Sequence, residues 1–562
     1  MSKKKYYTIV CILFMLIMVI GLFDLDKYWG ITNGWDDFGY ISDARFFANM
    51  DTFELAASSA YYSFGYALIL APFVKVIDSP VVLFRAIIVL NTTLIALSFI
   101  MALKICEVLY KNISDAIKIV ISFASIIYVS NYTNSKYVFT ESLVVFMFLC
   151  IAFVLIELTE NYSISKLLLV SIFSVYLYFV HQRTLAVLGS VFFVIIILII
   201  NHVIPKRHSI VLFVPVAGWI LGNITKSRIQ AYIYHAGESQ STNIGNDYSG
   251  QLGKIDYIFS GEGIIDFVNG FLSKLFYFNV STILIGAIGL SIIILEIVRG
   301  IKNKSSDNRM VFFIFLFLSW MGEMFIQTVF LIVPGRYDLA IYGRYIEYLY
   351  APILTIGFME IYKNKLSKTL LFRILLLTVI SASSACFLFV KFKLAYVNSY
   401  LSPACYYLFS RIGKTKDAAI VCTGGVLFVF IIVYILNSRS SKIRISIMIF
   451  LYFIHIVINS VCIGREMVND QAILHDNYFD MIEVIQQYDG DVWYDSTFDY
   501  MARIKQIQYL CPGVIFKKYN SGFEENNGIL IAGRGAKIDH SDKLDFELLY
   551  QNYMFNIWKI NN

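Results

Sequence analysis

The chain has 562 residues, of which 58% are hydrophobic and only 15% charged, and its mean hydropathy is +0.67. Soluble chains average roughly 45–50% apolar and about 25% charged, so a string of water-soluble domains is excluded and a polytopic membrane protein is indicated. The net charge of +6 is small for the length and does not suggest nucleic acid, and eight prolines without any low-complexity tract exclude a disordered or fibrous chain.

In chain order, the clear candidate spans are Tyr6–Phe23, Val81–Leu103, Phe139–Ile156, Leu185–Ile200, Leu275–Val298, Met310–Val333, Leu370–Val390, Ala418–Leu436 and Ile445–Val461. Shorter or more polar candidates are Ile117–Ser130, Leu167–Val180, Ile210–Leu221 and Tyr345–Met359. Together they predict about thirteen membrane helices on the usual length rule. Lys3-Lys4-Lys5 precede the first span, and alternate loops carry Lys104/Lys111/Lys118, Lys206-Arg207, Arg299/Lys302/Lys304/Arg309, Lys363/Lys365/Lys368 and Arg439/Lys442/Arg444. By the positive-inside rule the N-terminus and these loops are expected in the cytoplasm. The first span is not followed by a small-residue cleavage site, so it reads as an anchor and not a signal peptide.

Three long segments are then expected outside: residues 24–80, 223–274, and a polar tail. Residues 1–464 read as the membrane module and 465–562 as an extracytoplasmic α/β domain, with a helix-like stretch at Tyr478–Gln487 and strand-like ones at Asp491–Tyr494, Gly513–Lys517 and Gly528–Ala532. Eight cysteines, mostly inside apolar runs (Cys11, Cys106, Cys150, Cys386, Cys422, Cys462), read as small membrane-embedded hydrophobes. There is no zinc-type cysteine pair, HExxH or P-loop.

The first outer loop carries the most chemistry. Asp36 and Asp37 stand just beyond the first span, at the start of a helical stretch in which Tyr40, Ala44 and Phe47 follow at helical spacing. A carboxylate at the water–membrane boundary is placed to act as a general base on a lipid-borne substrate. Acids in a first helical turn also favour the helix dipole, which accounts for the pair without chemistry. Glu141 begins a span and reads either as an acid that assists the site or as a solvated helix start. Arg344 begins a later one, where it would hold a phosphate or snorkel as an anchor paired with Glu347. His181-Gln182-Arg183 forms a tight connection that is either a second phosphate or sugar contact or only an interfacial turn. Glu323 lies mid-span, where an acid costs roughly 2.5–3.5 kcal/mol and must face a cavity or a partner. His455, also mid-span, reads as an interhelical hydrogen bond.

These segments resemble the GT-C superfamily of membrane glycosyltransferases, which includes protein O-mannosyltransferases and aminoarabinose transferases. The resemblance rests on Trp35-Asp36-Asp37-Phe38-Gly39-Tyr40, on Phe64-Gly65-Tyr66 to Ala71-Pro72, on Tyr137-Val138-Phe139-Thr140-Glu141-Ser142-Leu143, and on Tyr342-Gly343-Arg344-Tyr345-Ile346-Glu347. The Lys-Pro-Pro run of the aminoarabinose transferases is absent, and Tyr61-Tyr62-Ser63 stands near its position. The resemblance implies an α-helical membrane fold and an inverting transferase in a prokaryotic cell membrane. Its donor would be a polyprenyl-phosphate-linked sugar, and its acceptor a cell-envelope glycan, lipid or protein on the outer face. It further implies Asp37, or else Asp36, as base with Glu141 beside it, and its motifs bring Tyr40, Arg344 and Tyr345 toward substrate; His181, Arg183 and Glu323 join them on the reading of the residues themselves. A divalent metal between Asp37 and Glu141 is an option that two carboxylates without a third ligand do not establish. The rival readings are a transporter or flippase of lipid-linked glycans, and a glycan polymerase or ligase.

Overall fold

The computed structural model describes residues 1–58, 62–234, 252–303, 308–332, 337–391, 402–407, 410, 415–488, 490–495, 501–519, 528–536 and 545–561. Among them, nine helices are long and apolar enough to cross a membrane, with one sharply bent helix pair as a tenth. Their outward faces carry Ile12, Met15 and Val19, Phe372, Leu376 and Leu377, or Phe428 and Ile431, all well exposed. Water does not tolerate apolar faces of that extent, whereas lipid requires them. The protein is a multi-pass membrane protein.

The first half follows the predicted elements closely. α1 (Lys3–Leu22) packs on α4 (Pro80–Leu109), and between them lie α2 (Asp36–Phe47) and α3 (Phe64–Val76). α4 begins where Ser79 Oγ accepts from the Val82 N–H and Pro80 takes a position whose N–H has no helical partner. α5 (Asp115–Ile126), α6 (Val129–Asn134), α7 (Glu141–Glu160), α8 (Ile164–Val180), α9 (Leu185–Ile200) and α10 (Phe213–Ile233) follow. α5 is 12 residues long, too short to span alone.

The second half departs from prediction at three places. The expected span Leu275–Val298 is two helices, α12 (Gly261–Ser281) and α13 (Ile285–Lys302), bent by 115°. At the break Ile283 and Leu284 take φ of 41° and 69°, a left-handed conformation that turns the chain sharply and that bulky residues adopt only under constraint. Hydropathy averages over such a corner and sees one span. Polar sequence expected as the loop 223–274 is instead helical at both ends, in α10 and in α12, with α11 (Leu252–Ile258) between. The span expected at Tyr345–Met359 is a 3-10 turn, Glu347–Leu349, followed by α15 (Tyr350–Lys363), with α14 (Asn308–Phe330) before it. α16 (Lys368–Lys391) and α17 (Thr415–Leu436) lead to α18 (Ser441–Gln487), 47 residues without a break. α18 therefore runs unbroken across residues 464 and 465 and ends four residues before the first strand of the C-terminal domain.

That domain is a five-stranded sheet, β1 (Asp491–Asp495), β2 (Phe516–Tyr519), β3 (Gly528–Gly533), β4 (Asp545–Gln551) and β5 (Phe555–Asn561), in the order β2-β1-β3-β5-β4. β1 is parallel to β2 and β3, and β5 is antiparallel to β3 and β4. α19 (Met501–Leu510) lies between β1 and β2, as a parallel pair requires. It docks on the first outer loop: Gln506 Nε2 donates to Thr32 O at 2.6 Å and Tyr509 Oη to Pro80 O at 2.7 Å. From α18, Gln471 grips the Gly30 backbone through both ends of its amide.

The basic loops share one end of the bundle. There Met1 meets Asp115, Lys111 meets Glu160, Lys363 covers the Tyr110 ring, and Arg444 Nε donates to Ile361 O. The acidic loop and the C-terminal domain occupy the opposite end. Between the ends, α13 and α15 cross backbone to backbone. A Cβ on Gly289 would stand 2.1 Å from Ile353 O, and one on Gly357 would stand 2.2 Å from Ile285 O. Close approach of this kind is what small residues permit in membrane helices. Gly357→Leu should therefore lower the melting temperature of the purified protein, at an overpacking cost of about 1–3 kcal/mol or more. Gly424→Leu, where a Cβ meets open space, should leave it unchanged; equal effects of the two would contradict this crossing.

Candidate active site

Four chain segments meet at the end of the bundle that carries the acidic loop. The first is the start of α2. Asn33 Oδ1 accepts from the N–H groups of Trp35 at 3.1 Å and Asp36 at 3.3 Å, capping the helix and fixing where the acidic pair begins. Both carboxylates thus sit at the positive end of the helix dipole, but they face different ways. Asp37 is completely buried, and its Oδ1 accepts from Val138 N–H at 2.9 Å. Burial pushes its pKa well above the usual carboxylate range, the neighbouring Asp36 adding to this and the N–H groups of Val138 and Asn33 opposing it. Asp36 keeps 24% of its side chain exposed. Its Oδ1 accepts from Tyr62 Oη at 3.0 Å, and its Oδ2 pairs with Arg344 Nη1 at 2.8 Å. Tyr62 reaches it because its ring lies against Gly39, where any Cβ would come within 2.1 Å of the ring.

Arg344 is the hub. Its Nε and Nη2 donate to the two oxygens of Glu141 at 2.7 and 3.4 Å, while its guanidinium lies over the Phe139 ring at 3.7 Å. One edge of the fork, Nε and Nη2, is spoken for by a buried carboxylate, and Nη1 is left facing Asp36. Glu141 takes a second cation on the same oxygen: Arg183 Nη1 and Nη2 both stand 3.2 Å from Oε1. Arg183 is buried, with its guanidinium 4.4 Å from the centre of the Tyr345 ring and 5.9 Å from that of Tyr348. Two guanidinium groups thus balance two carboxylates, Glu141 and Asp36, in a setting where an unpaired charge is costly. The pairing of Arg344 with Glu347 weighed from spacing does not form. Glu347 turns the other way and accepts from the hydroxyls of Tyr128 at 3.0 Å and of Tyr277.

The candidates fall into layers. Asp36, Tyr345 and His181 are partly exposed and form the mouth. His181 Nδ1 accepts from Arg183 N–H at 3.3 Å, and its ring lies 5.7 Å from that of Tyr345. Burial and the nearby Arg183 and Arg344 both lower its pKa, which favours neutral imidazole. Beneath lie Arg344, Glu141 and Arg183, all buried. Deeper still, Glu323 accepts from Tyr348 Oη and Gln327 Nε2, each at 3.1 Å, so this mid-span acid has partners of its own. Tyr40 is buried beneath the mouth, packed against the rings of Tyr62 and Tyr66, where it supports the site without facing its opening. His455 is half-buried in α18 and hydrogen-bonds the Ser281 backbone at the end of α12, an interhelical bond as expected, while its Nε2 has no partner among the described residues. Sequence reasoning missed Tyr348, Phe139 as the face under Arg344, and Lys505. Lys505, from α19, places its ammonium 3.8 Å from the centre of the Trp35 ring next to Asp36. No local signal joins residues so far apart in the chain.

The set does not fit a divalent cation. Glu141 is saturated by two guanidinium groups and Asp37 by backbone N–H, and no cluster of three metal-ligating side chains occurs among the described residues.

The fold is similar to that of a solved membrane protein, ArnT. It matches the crystal structure of ArnT from Cupriavidus metallidurans bound to undecaprenyl phosphate with a TM-score of 0.51 and 7% identity, over 99% of this chain and 98% of that one. The apo structure of the same ArnT matches with a TM-score of 0.51 and 8% identity, over 100% and 98% of the two chains. No family model and no curated protein matches the sequence.

If Glu141 holds the two arginines, Glu141→Leu leaves both guanidinium groups buried and short of a counter-charge. Stability should fall by about 3–5 kcal/mol, read as a lower melting temperature of the purified protein. Asp36→Asn, at the exposed rim, should cost much less. Comparable losses in the two would refute Glu141 as the anchor of the cluster.

Proposed function

We propose that this protein is an inverting glycosyltransferase that moves a sugar from a polyprenyl-phosphate donor to a hydroxyl acceptor at the outer face of a prokaryotic cell membrane. The observation that carries the reading is Arg344 Nη1, an arginine edge held at the site mouth against a partly exposed carboxylate. A full-length likeness to the ArnT fold supports it, as does the undecaprenyl phosphate bound to that ArnT.

The geometry favours Asp36 as base over Asp37, because Asp37 is sealed from any acceptor and burial disfavours the charged form a base needs. In the resting site Arg344 occupies Asp36. An incoming donor phosphate, itself an anion, competes for Nη1 and releases the carboxylate. Asp36 then takes the proton of the acceptor hydroxyl as that oxygen attacks the anomeric carbon from the face opposite the phosphate. The bond from the anomeric carbon to the phosphate oxygen breaks, its electron pair stays on the phosphate, and Arg344 meets the charge as it grows. Glu141 holds Arg344 in place, and Arg183 offsets the charge of Glu141. His181 and Tyr345 line the approach for sugar or phosphate. No step calls for a metal. A flippase is less well served, since Asp36, Glu141, Arg183 and Arg344 gather at one end of the bundle and the mid-span Glu323 is taken up by Tyr348 and Gln327.

Asp36→Asn should reduce sugar transfer about 100-fold or more, and Arg344→Lys should lose a similar factor because a lysine cannot hold Glu141 and a phosphate together. Asp37→Asn should lose activity only as far as it loosens the loop. Single-turnover transfer from a polyprenyl-phosphate sugar measures all three; full activity in Asp36→Asn with none in Asp37→Asn would return the base to Asp37. For sidedness, an impermeant thiol reagent added to intact cells carrying a cysteine-free background should label Asp491→Cys and spare Ser2→Cys. The reverse pattern would invert the membrane orientation.

A further inference from the structure

On the far side of the turn that holds Asp37 lies a cavity of about 740 Å³. It is walled by Ile17 and Ile20 of α1, Ile95 of α4, Phe123 of α5, and Ile456 and Val457 of α18. Volumes of roughly 300–1,000 Å³ with apolar walls and few polar groups are typical of ligand sites between helices. Its position fixes the medium that enters it. The lining residues are the outer thirds of membrane helices, and beside the opening Val19, Ile20, Phe453, Val457 and Val461 are exposed. What reaches the cavity is hydrocarbon.

The rim is polar and carries more cation than anion. Asp24 is paired with Lys27 at 2.7 Å. Arg465, one helical turn above Val461 on α18, is exposed and makes no ion pair among the described residues. Behind the wall, Lys136 is buried with its ammonium donating to the carbonyls of Gly21 and Phe23 at the end of α1 and lying over the rings of Tyr28 and Tyr132. Greasy walls at acyl-chain depth and, at the rim, an Arg465 unpaired among the described residues are the two halves of an anionic lipid site. The turn between is shared. Lys136 points to the cavity side, whereas Val138, two residues on, donates its N–H to Asp37 on the other. A polyprenyl donor has to present its phosphate to Arg344, on that other side, so it is not the occupant this cavity fits.

We propose that the cavity between α1, α4, α5 and α18 holds the acyl chains of an anionic phospholipid whose phosphate rests on Arg465. The lipid fills the wall behind the turn that carries Val138. The exclusion of the donor as occupant rests on the transfer reading, whereas lipid binding at the cavity is tested without it.

The test uses the full-length protein in mild detergent, delipidated and titrated with phosphatidylglycerol or with phosphatidylcholine of the same acyl chains, with bound lipid counted by native mass spectrometry. Phosphatidylglycerol should bind about fivefold more tightly, the effect expected of one basic residue at a lipid headgroup. Arg465→Glu should erase that preference, and Ser460→Trp, which puts an indole into the cavity, should displace both lipids. Because Arg465 is exposed, its variant decides the matter even where Ser460→Trp does not fold. Equal binding of the two lipids by the unaltered protein, or a preference that survives Arg465→Glu, would overturn the proposal. So would undecaprenyl phosphate displacing phosphatidylglycerol from the unaltered protein and itself failing to bind Ser460→Trp, since the cavity would then belong to the donor.

Discussion

One buried carboxylate organises this end of the molecule. Glu141 is almost out of reach of water, and a lone carboxylate there would not survive ionised. It survives because Arg344 and Arg183 come to it from residues some 200 and 40 positions away in the chain, each laid on an aromatic face. The consequence is geometric. Once Glu141 has taken Nε and Nη2 of Arg344, the guanidinium plane is fixed, and its remaining edge points where Asp36 stands. The desolvation cost of burying charge is thereby converted into the preorganisation that phosphate chemistry needs.

The scaffold serves that arrangement from both sides. Below, α7 begins at Glu141 and α9 follows Arg183 by one short turn, so two arms of the cluster sit at the ends of rigid membrane helices. Above, the loop bearing Asp36 has little regular structure of its own until α2, and it is the C-terminal domain that ties it down. Gln471, Gln506 and Tyr509 bond its backbone, and Lys505 covers Trp35. Gln471, one of these restraints, stands on α18, the same helix that crosses the membrane.

Much of this was legible in the sequence, for a physical reason. Membrane insertion writes itself into hydropathy, and the Lys/Arg loops predicted for one side do gather at one end of the bundle. Asp36, Asp37, Glu141, Arg183 and Arg344 drew notice because charge next to a span is expensive and needs an explanation. What the sequence could not order was which carboxylate is open. Asp36 and Asp37 are adjacent and identical in type, and the tighter bond that holds Asp37 inward comes from the Val138 N–H, 101 residues on. For the same reason Glu347 looked like the partner of Arg344 at helical spacing, yet a 3-10 turn replaces the helix there and swings it to two tyrosines. The corner at Ile283-Leu284 was invisible because apolar residues continue through it.

The relay through Arg344 makes one claim that runs against ordinary expectation. If Asp36 and a lipid phosphate compete for the same guanidinium edge, removing the charge of Asp36 should abolish transfer yet strengthen the grip on the phosphate. The direct measurement is the affinity of the purified protein for undecaprenyl phosphate, compared between the unaltered chain and Asp36→Asn. Tighter binding by Asp36→Asn, by about fivefold or more, is the result expected; equal or weaker binding would mean that Arg344 and Asp36 do not share the phosphate site.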